Sequence, residues 1–131
     1  MHLLRSLLIC SLLLVGCITT HRQRGDFTGF LRQELLLRGG QIRIDAALPV
    51  VRGTWTYEPT DYGGCHIFLR NHKLEQVDAL LAAAFGEPQK RDERPGKEPV
   101  RIYNKSKVGV SLLIVGKNNG VWIGCPTPRV Q

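Results

Sequence analysis

Acidic side chains, cysteines and aromatic rings are all scarce in this sequence. Its 131 residues carry 11 Asp and Glu against 18 Lys and Arg, which gives a formal charge of +7. Four cysteines are too few for a fold that depends on disulfides in place of a core. The hydrophobic content of 43% is nevertheless enough for a folded core, which excludes global disorder, and the length fits a single domain.

The motifs that identify common enzyme classes are also missing. The sequence has no Gly-x-Ser-x-Gly nucleophile elbow and no glycine-rich phosphate loop. His66 and His72 are too few for a zinc site, which needs three or four ligands at closer spacing. Cys65 and His66 are neighbours in a predicted strand, so their side chains point to opposite faces and cannot act together. We therefore expect no catalytic site, no metal and no cofactor.

Apolar residues are concentrated at the N-terminus. Behind Arg5, residues 7–15 form an apolar run that only Cys10 and Ser11 interrupt. A basic residue followed by an apolar run of this length is typical of an export signal. The run is shorter than the roughly 20 residues that a membrane-spanning helix requires. We therefore interpret the segment as a signal peptide and exclude it from the folded domain.

The next residues, Leu14-Val15-Gly16-Cys17, resemble the lipobox of bacterial lipoproteins. The resemblance implies that residues 1–16 are cleaved off and that fatty acyl chains such as palmitate are attached to Cys17. More than one acyl chain makes such an attachment to a bilayer stable. In lipoproteins of this kind, an Asp after the lipidated cysteine often marks retention in the inner membrane. Ile18 in that place favours the outer membrane, with the domain facing the periplasm.

Removal of the signal peptide leaves 115 residues with a net charge of +6, because Arg5 is lost with it. Residues 17–26 are polar, and we interpret them as the lipidated cysteine and a tether, followed by one domain at residues 27–131. Arg22 and Arg24 in the tether could contact anionic head groups, each with about 1 kcal/mol of attraction. Export removes most contact with nucleic acid. The positive charge therefore indicates an anionic lipid or an acidic envelope protein as partner.

The hydrophobic periodicity predicts an α+β domain, with one or two helices packed on an antiparallel sheet of four to six strands. The clearest helix covers residues 72–85, with Asn71 as its N-cap and Gly86 at its C-terminal end. Residues 27–38 have helical spacing, but a hairpin closed by Gly39-Gly40 is an alternative.

The remaining residues divide into strands and one loop. Residues 87–99 carry eight charges without a large apolar side chain, which predicts a solvated loop. The predicted strands cover residues 41–47, 50–57, 65–70, 100–103, 108–116 and 121–125. The segment LEQVDALLAAAFGEP, residues 74–88, together with the strands after it, is similar to the helix-then-sheet arrangement of small lipoproteins of the outer-membrane barrel-assembly machinery. Those proteins have a helical pair before the sheet, whereas strands precede the main helix here.

Two cysteines remain for the mature domain once Cys17 is lipidated. Cys65 alternates with apolar residues and so faces the core. A hairpin closed by Asn119-Gly120 would pair Cys125 with Ile114 and place Cys125 on the core face as well. We expect a disulfide between Cys65 and Cys125, which would close a loop of about 60 residues and contribute about 4 kcal/mol. Two separate buried thiols are the alternative.

A last candidate is a group of aromatic residues. Trp55 and Tyr57 share one face of the predicted strand 50–57, and Tyr62 follows closely. If exposed, they would form a binding surface, because aromatic residues are enriched at interfaces; core packing is the alternative. The sequence thus predicts a small lipid-anchored envelope protein of a binding or scaffolding type. A small hydrolase or thiol enzyme and a ligand- or inhibitor-binding module are the alternatives.

Overall fold

The computed structural model describes residues 20–42, 47–60, 63–104 and 108–125. The signal peptide, the lipobox and Tyr62 lie outside these residues. Seven strands and two helices follow one another in the described part of the chain. They are β1 (His21–Asp26), α1 (Phe27–Leu37), β2 (Arg52–Pro59), β3 (Cys65–Arg70), α2 (Leu74–Phe85), β4 (Lys90–Asp92), β5 (Val100–Tyr103), β6 (Leu112–Lys117) and β7 (Gly120–Cys125).

The strands form one antiparallel sheet in the order β1-β2-β3-β7-β6-β5-β4. The α+β class is therefore confirmed, but the sheet has seven strands where four to six were predicted. The two strands that the sequence did not predict, β1 and β4, are the edges of the sheet. Edge strands are commonly charged on both faces, which removes the apolar alternation that marks a strand in a sequence.

Strand β1 corrects the predicted tether. Residues 21–26 are paired with β2 along their whole length, with His21 opposite Tyr57 and Asp26 opposite Arg52. They are part of the sheet, so a tether from Cys17 would be limited to the few residues before His21. Strand β4 likewise lies inside the predicted loop 87–99 and pairs with β5.

Both helices pack on the same face of the sheet. The ring of Phe30 in α1 lies 5.0 Å from the ring of Trp55 in β2. Asp78 in α2 accepts a hydrogen bond from Tyr103 in β5 at 3.1 Å. The core lies between this sheet face and the helices. Its most buried side chains include Phe27, Leu31, Leu35, Cys65, Ile67, Leu69, Val77, Leu81, Leu112, Ile114, Val121 and Ile123. Neither helix in the described residues is long and apolar enough to cross a bilayer.

The first helix settles the choice between helix and hairpin at residues 27–38. The Asp26 carboxylate accepts a hydrogen bond from the Gly29 N–H at 3.1 Å and caps the N-terminus of α1. Gly39, with φ at 87°, ends it. The strand predicted at residues 41–47 is wrong at the described positions, because residues 41, 42 and 47 belong to no strand. Residues 43–46 lie outside the described part of the chain.

The second helix ends where predicted but begins later. Gly86 follows it with φ at 93°. Its N-cap is Lys73 and not Asn71, and the Gln76 side chain accepts a hydrogen bond from the Lys73 N–H at 2.9 Å. Asn71 instead adopts the left-handed conformation, with φ at 57°, and its N–H donates to the Asn119 carbonyl. Asn is one of the few residues that tolerate this conformation in a tight connection.

The β6–β7 hairpin has a different register from the predicted one. Lys117 pairs with Gly120 and Ile114 with Ile123, so the predicted pairing of Ile114 with Cys125 is wrong. The turn is centred one residue earlier than Asn119-Gly120, which moves every pairing by two residues. Because side chains alternate with a period of two, the even shift leaves Cys125 on the predicted core face.

Candidate functional site

The two cysteines of the domain meet at one end of the sheet. Cys65 begins β3, Cys125 ends β7, and the register places them directly opposite each other. Cys65 is 0% exposed and Cys125 is 2% exposed, and both are free thiols. The structure thus brings together the two residues of the predicted disulfide, and the bond itself stays a prediction.

Arg38, at the C-terminal cap of α1, lies near Cys65, because it hydrogen-bonds to Gly63, two residues before Cys65, and to Tyr57, which pairs with Ile67, two residues after it. Its guanidinium donates hydrogen bonds to the Glu34 carboxylate at 3.2 Å, to the Tyr57 hydroxyl at 3.4 Å and to the Gly63 carbonyl. Its side chain is only 11% exposed. Its Nε is buried and has no hydrogen-bond partner among the described residues. A largely buried cation with a free donor therefore lies near Cys65. Its charge in the sequence gives no sign of this position, which depends on how α1 packs on the sheet.

The two thiols differ in acidity. The hydrogen bond from Cys125 lowers the pKa of the Cys65 thiol against the opposing effect of burial, and the positive charge of Arg38 lowers it further. The same hydrogen bond and burial raise the pKa of the Cys125 thiol. Burial also raises the pKa of the nearby Tyr57, whose hydroxyl donates to Glu34 at 2.9 Å. Cys65 is therefore the thiol that ionises first.

Of the three aromatic residues considered for a binding surface, Trp55 belongs to the core and Tyr57 packs against it, which was the alternative, and Tyr62 lies outside the described residues. Trp55 is 3% exposed, and its ring contacts those of Phe27 and Phe30 with centroids 5.3 and 5.0 Å away. Tyr57 is half-buried and its hydroxyl is bonded to Glu34. An exposed binding surface at Trp55 is thus wrong, because Phe27 and Phe30 of α1 pack over this part of β2.

The opposite face of the sheet carries an apolar surface that neither described helix covers. One row crosses four adjacent strands, with Phe68 beside Trp122, Trp122 beside Val115, and Val115 beside Val100. At about 4.8 Å between strands, the row is about 14 Å long. All four side chains are half-buried. We call this surface the open face. It consists of His66, Phe68, Val100, Ile102, Leu113, Val115 and Trp122.

Leu113 is the most accessible apolar side chain of the open face, at 38% exposed. The ring of Trp122 lies flat enough to occupy the space over Gly124, where an added Cβ would come within 2.5 Å of the ring. The imidazole of His66 lies 5.1 Å from the same ring. A Trp side chain spread over a glycine in this way covers a wide area, as the anchor residues of protein interfaces do.

Positive charge borders the open face on one side. Arg22 in β1 lies in line with the apolar row, at its end. It pairs with Thr56, and Thr56 pairs with Phe68. Arg24 and Arg70 lie on the same face and are exposed. In the sequence, the consecutive apolar residues of Leu112–Val115 are the signal for this surface, because they indicate a strand that is apolar on both faces.

A second cluster lies under α2 and is polar and buried. The Asp78 carboxylate accepts hydrogen bonds from Arg101 Nε at 3.4 Å and from the Tyr103 hydroxyl at 3.1 Å. Arg91 in β4 lies 3.3 Å away, and Glu93 pairs with the second side of Arg101. Arg101 is 3% exposed. The predicted solvated loop therefore supplies partners to a buried arginine, and the cluster is structural because it joins α2, β4 and β5.

The larger hollows among the described residues, of about 290 to 560 Å³, are open to solvent, and the more enclosed crevice between the helices is too small for a ligand. The apolar crevice between α1 and α2 holds about 10 Å³, which is no more than one water. No three His, Cys, Asp or Glu residues of the described ranges lie close enough to hold a metal ion. Cys65 is buried while His66 is exposed on the other face, so they form no thiol and base pair.

Comparison with protein families, with curated proteins and with solved structures found no match to this chain.

Proposed function

We propose that this chain is a small lipid-anchored envelope protein that is not an enzyme and that binds or scaffolds another envelope protein. The observation that carries the proposal is the open face. It is a contiguous apolar surface on one side of a sheet whose other side packs against both helices. Surfaces of this kind, with an aromatic residue near the centre and arginines at the rim, are typical of protein interfaces.

The short segment between the proposed anchor at Cys17 and the first strand of the sheet supports this proposal. If Cys17 carries the acyl chains, three residues separate it from His21, the first residue of β1. Four residue steps span at most about 14 Å. The start of β1 would therefore stay close to the bilayer surface. Ile18 in the position after the lipidated cysteine supports the outer membrane as the location.

The end of the molecule that faces the anchor carries exposed apolar side chains. Tyr57 pairs with His21 across the sheet. Its hydroxyl accepts a hydrogen bond from Arg38 and donates one to Glu34, so α1 ends beside the start of β1. Leu36 and Leu37 in this last turn are 50% and 75% exposed. Exposed leucines beside a lipid anchor are suited to contact with acyl chains or with the head-group boundary.

This placement leaves the open face free for a protein. With the His21 end of β1 near the bilayer, the strands lead away from the membrane and the open face stands to the side. Arg22, Arg24 and Arg70 then border it with positive charge. The partner surface that fits has an apolar centre and a rim of carboxylates on that side.

The anchor is tested by fractionation of the full chain expressed in a Gram-negative host. Cys17→Ser should move the protein from the membrane to the soluble fraction, because no acyl chain can be attached. Cys10→Ser, seven residues earlier in the signal peptide, is the matched control and should stay in the membrane. If Cys17→Ser partitions like the unchanged protein, the anchor is refuted.

The open face is tested with a photo-crosslinking amino acid placed at Leu113 in the full chain. A matched probe at Arg32, which is exposed on α1, reports contacts on the helical side. We expect one discrete protein adduct from position 113, none at position 32, and loss of the adduct when Phe68→Asp is added. Adducts with lipid, adducts with a second copy of the chain, or equal adducts at both positions would each contradict the proposal.

A further inference from the structure

We propose that Cys65 and Cys125 form a disulfide by exchange with the disulfide of an external oxidant, with Cys65 as the attacking thiol and Arg38 as the residue that positions charge beside it. The oxidant belongs to the class of protein or small-molecule disulfides, such as oxidised glutathione. This proposal does not depend on the anchor or on the open face. It assigns different roles to two cysteines that are equivalent in the sequence.

The backbone already has the geometry that the bond requires. Directly opposed residues of antiparallel strands have Cα atoms about 4.5 to 5.5 Å apart. A disulfide spans Cα distances of about 4.4 to 6.8 Å. Cys65 and Cys125 are opposed in this way in β3 and β7, and both side chains are buried on the core face of the sheet. The bond can therefore form without a change of register or a shift of the strands.

The surroundings distinguish the two sulfurs. Arg38 contributes a buried positive charge, and its Nε–H has no hydrogen-bond partner among the described residues. Arg38 is also paired with Glu34, whose negative charge opposes ionisation of Cys65, so a Cys65 thiolate would be a second negative charge near the guanidinium. The pKa of the Cys65 thiol is lowered by its hydrogen bond from Cys125 and by Arg38, while the pKa of the Cys125 thiol is raised. Since the thiolate is the nucleophile in disulfide exchange, Cys65 reacts first.

The exchange has two balanced steps. The Cys65 thiolate attacks one sulfur of the oxidant, forms a mixed disulfide and releases the other sulfur as a thiolate. The Cys125 thiol then loses its proton to solvent and attacks the Cys65 sulfur, which releases the second thiolate of the oxidant. Two protein thiols are oxidised to one disulfide, and one external disulfide is reduced to two thiols.

Access to the sulfurs requires a local opening, because both thiols are buried. The pair lies at the first residue of β3 and the last residue of β7, and not in the middle of the sheet. Strand ends open at a lower free-energy cost than strand centres. We therefore expect slow exchange in the folded protein and faster exchange in low concentrations of urea.

The bond is tested with the full chain carrying Cys10→Ser and Cys17→Ser, so that only two thiols remain. Incubation with oxidised glutathione should remove both thiols, as counted by maleimide mass tagging, and should leave the protein monomeric. The unfolding midpoint should rise by roughly 10 °C or more, because a loop of about 60 residues is closed. Two free thiols that persist after oxidation in low urea, or disulfide-linked dimers, would overturn the proposal.

The assignment of Cys65 is tested by removing each partner in turn in the same background. Cys125→Ser keeps Cys65 and should form the mixed disulfide with glutathione faster than Cys65→Ser, which keeps Cys125. The serine hydroxyl can replace the hydrogen bond that Cys125 gives to Cys65. Equal rates, or a faster reaction of Cys65→Ser, would overturn the assignment of the attacking thiol.

The role of Arg38 is tested by the pH dependence of the oxidation rate. Arg38→Gln should move the rate profile to higher pH and slow oxidation at pH 7 several-fold, because the positive charge that lowers the pKa of Cys65 is removed. Arg38→Lys should recover much of the rate because it restores the charge. Arg32→Gln, on the exposed side of the same helix, is the control. A profile of Arg38→Gln that matches the unchanged profile would exclude Arg38 from this role.

Discussion

Single buried polar residues join the elements of this fold. Asp78 receives hydrogen bonds from Arg101 and Tyr103 and is also paired with Arg91. Burial of Arg101 is acceptable only because carboxylates are held against both sides of its guanidinium. The sequence analysis placed none of these residues, because a charge pattern does not show which charges become buried.

The Asp78 cluster leads to a prediction for stability. Asp78→Ala should lower the free energy of unfolding by about 3 to 5 kcal/mol, because it leaves Arg101 buried with one charged partner fewer. Denaturant unfolding of the full chain measures the change. The double variant Asp78→Ala with Arg101→Met should be less destabilised than Asp78→Ala alone, since the uncompensated charge is removed. If the double variant is less stable than Asp78→Ala alone, the uncompensated charge of Arg101 is not the cause of the destabilisation.

Aromatic residues show why a face of a strand cannot be assigned from alternation alone. Trp55 and Tyr57 alternate correctly and do share a face. Alternation does not say whether that face meets solvent or a helix. Phe27 and Phe30 in α1 pack on it, and this contact joins segments about 25 residues apart. The same holds for the open face, because its apolar residues are equally compatible with a second covering layer and with an exposed surface.

At the scale of elements, strong periodicity and end signals were the reliable guides. The cores of α1 and α2 and of strands β2, β3, β5 and β7 fall where apolar period and glycine positions predicted them. The edge strands β1 and β4 were missed, and the hairpin register was off by two residues. A short charged strand is stable only because its neighbour supplies hydrogen bonds, which its own residues do not encode.

Helix α1 gives the prediction at this scale. Leu31 is 1% exposed and faces the sheet, whereas Leu37 is 75% exposed on the same helix. Leu31→Ala should lower the free energy of unfolding by about 2 to 5 kcal/mol, because it leaves a cavity in the core. Leu37→Ala should change it by less than about 0.5 kcal/mol. Thermal or urea denaturation checks the pair, and equal effects would contradict the packing of α1 described above.

At the scale of the whole molecule, the two faces of the sheet have different roles. One face is covered by both helices and holds the core. The other keeps Phe68, Leu113 and Trp122 partly accessible, with arginines along one border. Apolar side chains on a sheet face that neither described helix covers are a cost to solubility unless a partner covers them, which is why we propose that face for binding.

The position of the cysteine pair also matters at the scale of the whole molecule. It lies at the end of the sheet where α1 finishes and where β1 begins. A disulfide at this point would tie the last strand of the described chain to the middle of the sheet. The end of the domain proposed to face the bilayer would then also be its most constrained end.

The sequence by itself determined the α+β class, the two helices and the alternation that directs Cys65 and Cys125 to one side, because these follow from local periodicity and end signals. It also contains the lipobox resemblance, which is a local motif. Only the tertiary structure decided which sheet face the helices cover, where the edge strands add and how Arg38 reaches the thiols. Those outcomes depend on contacts between distant segments, whose free energies no local pattern records.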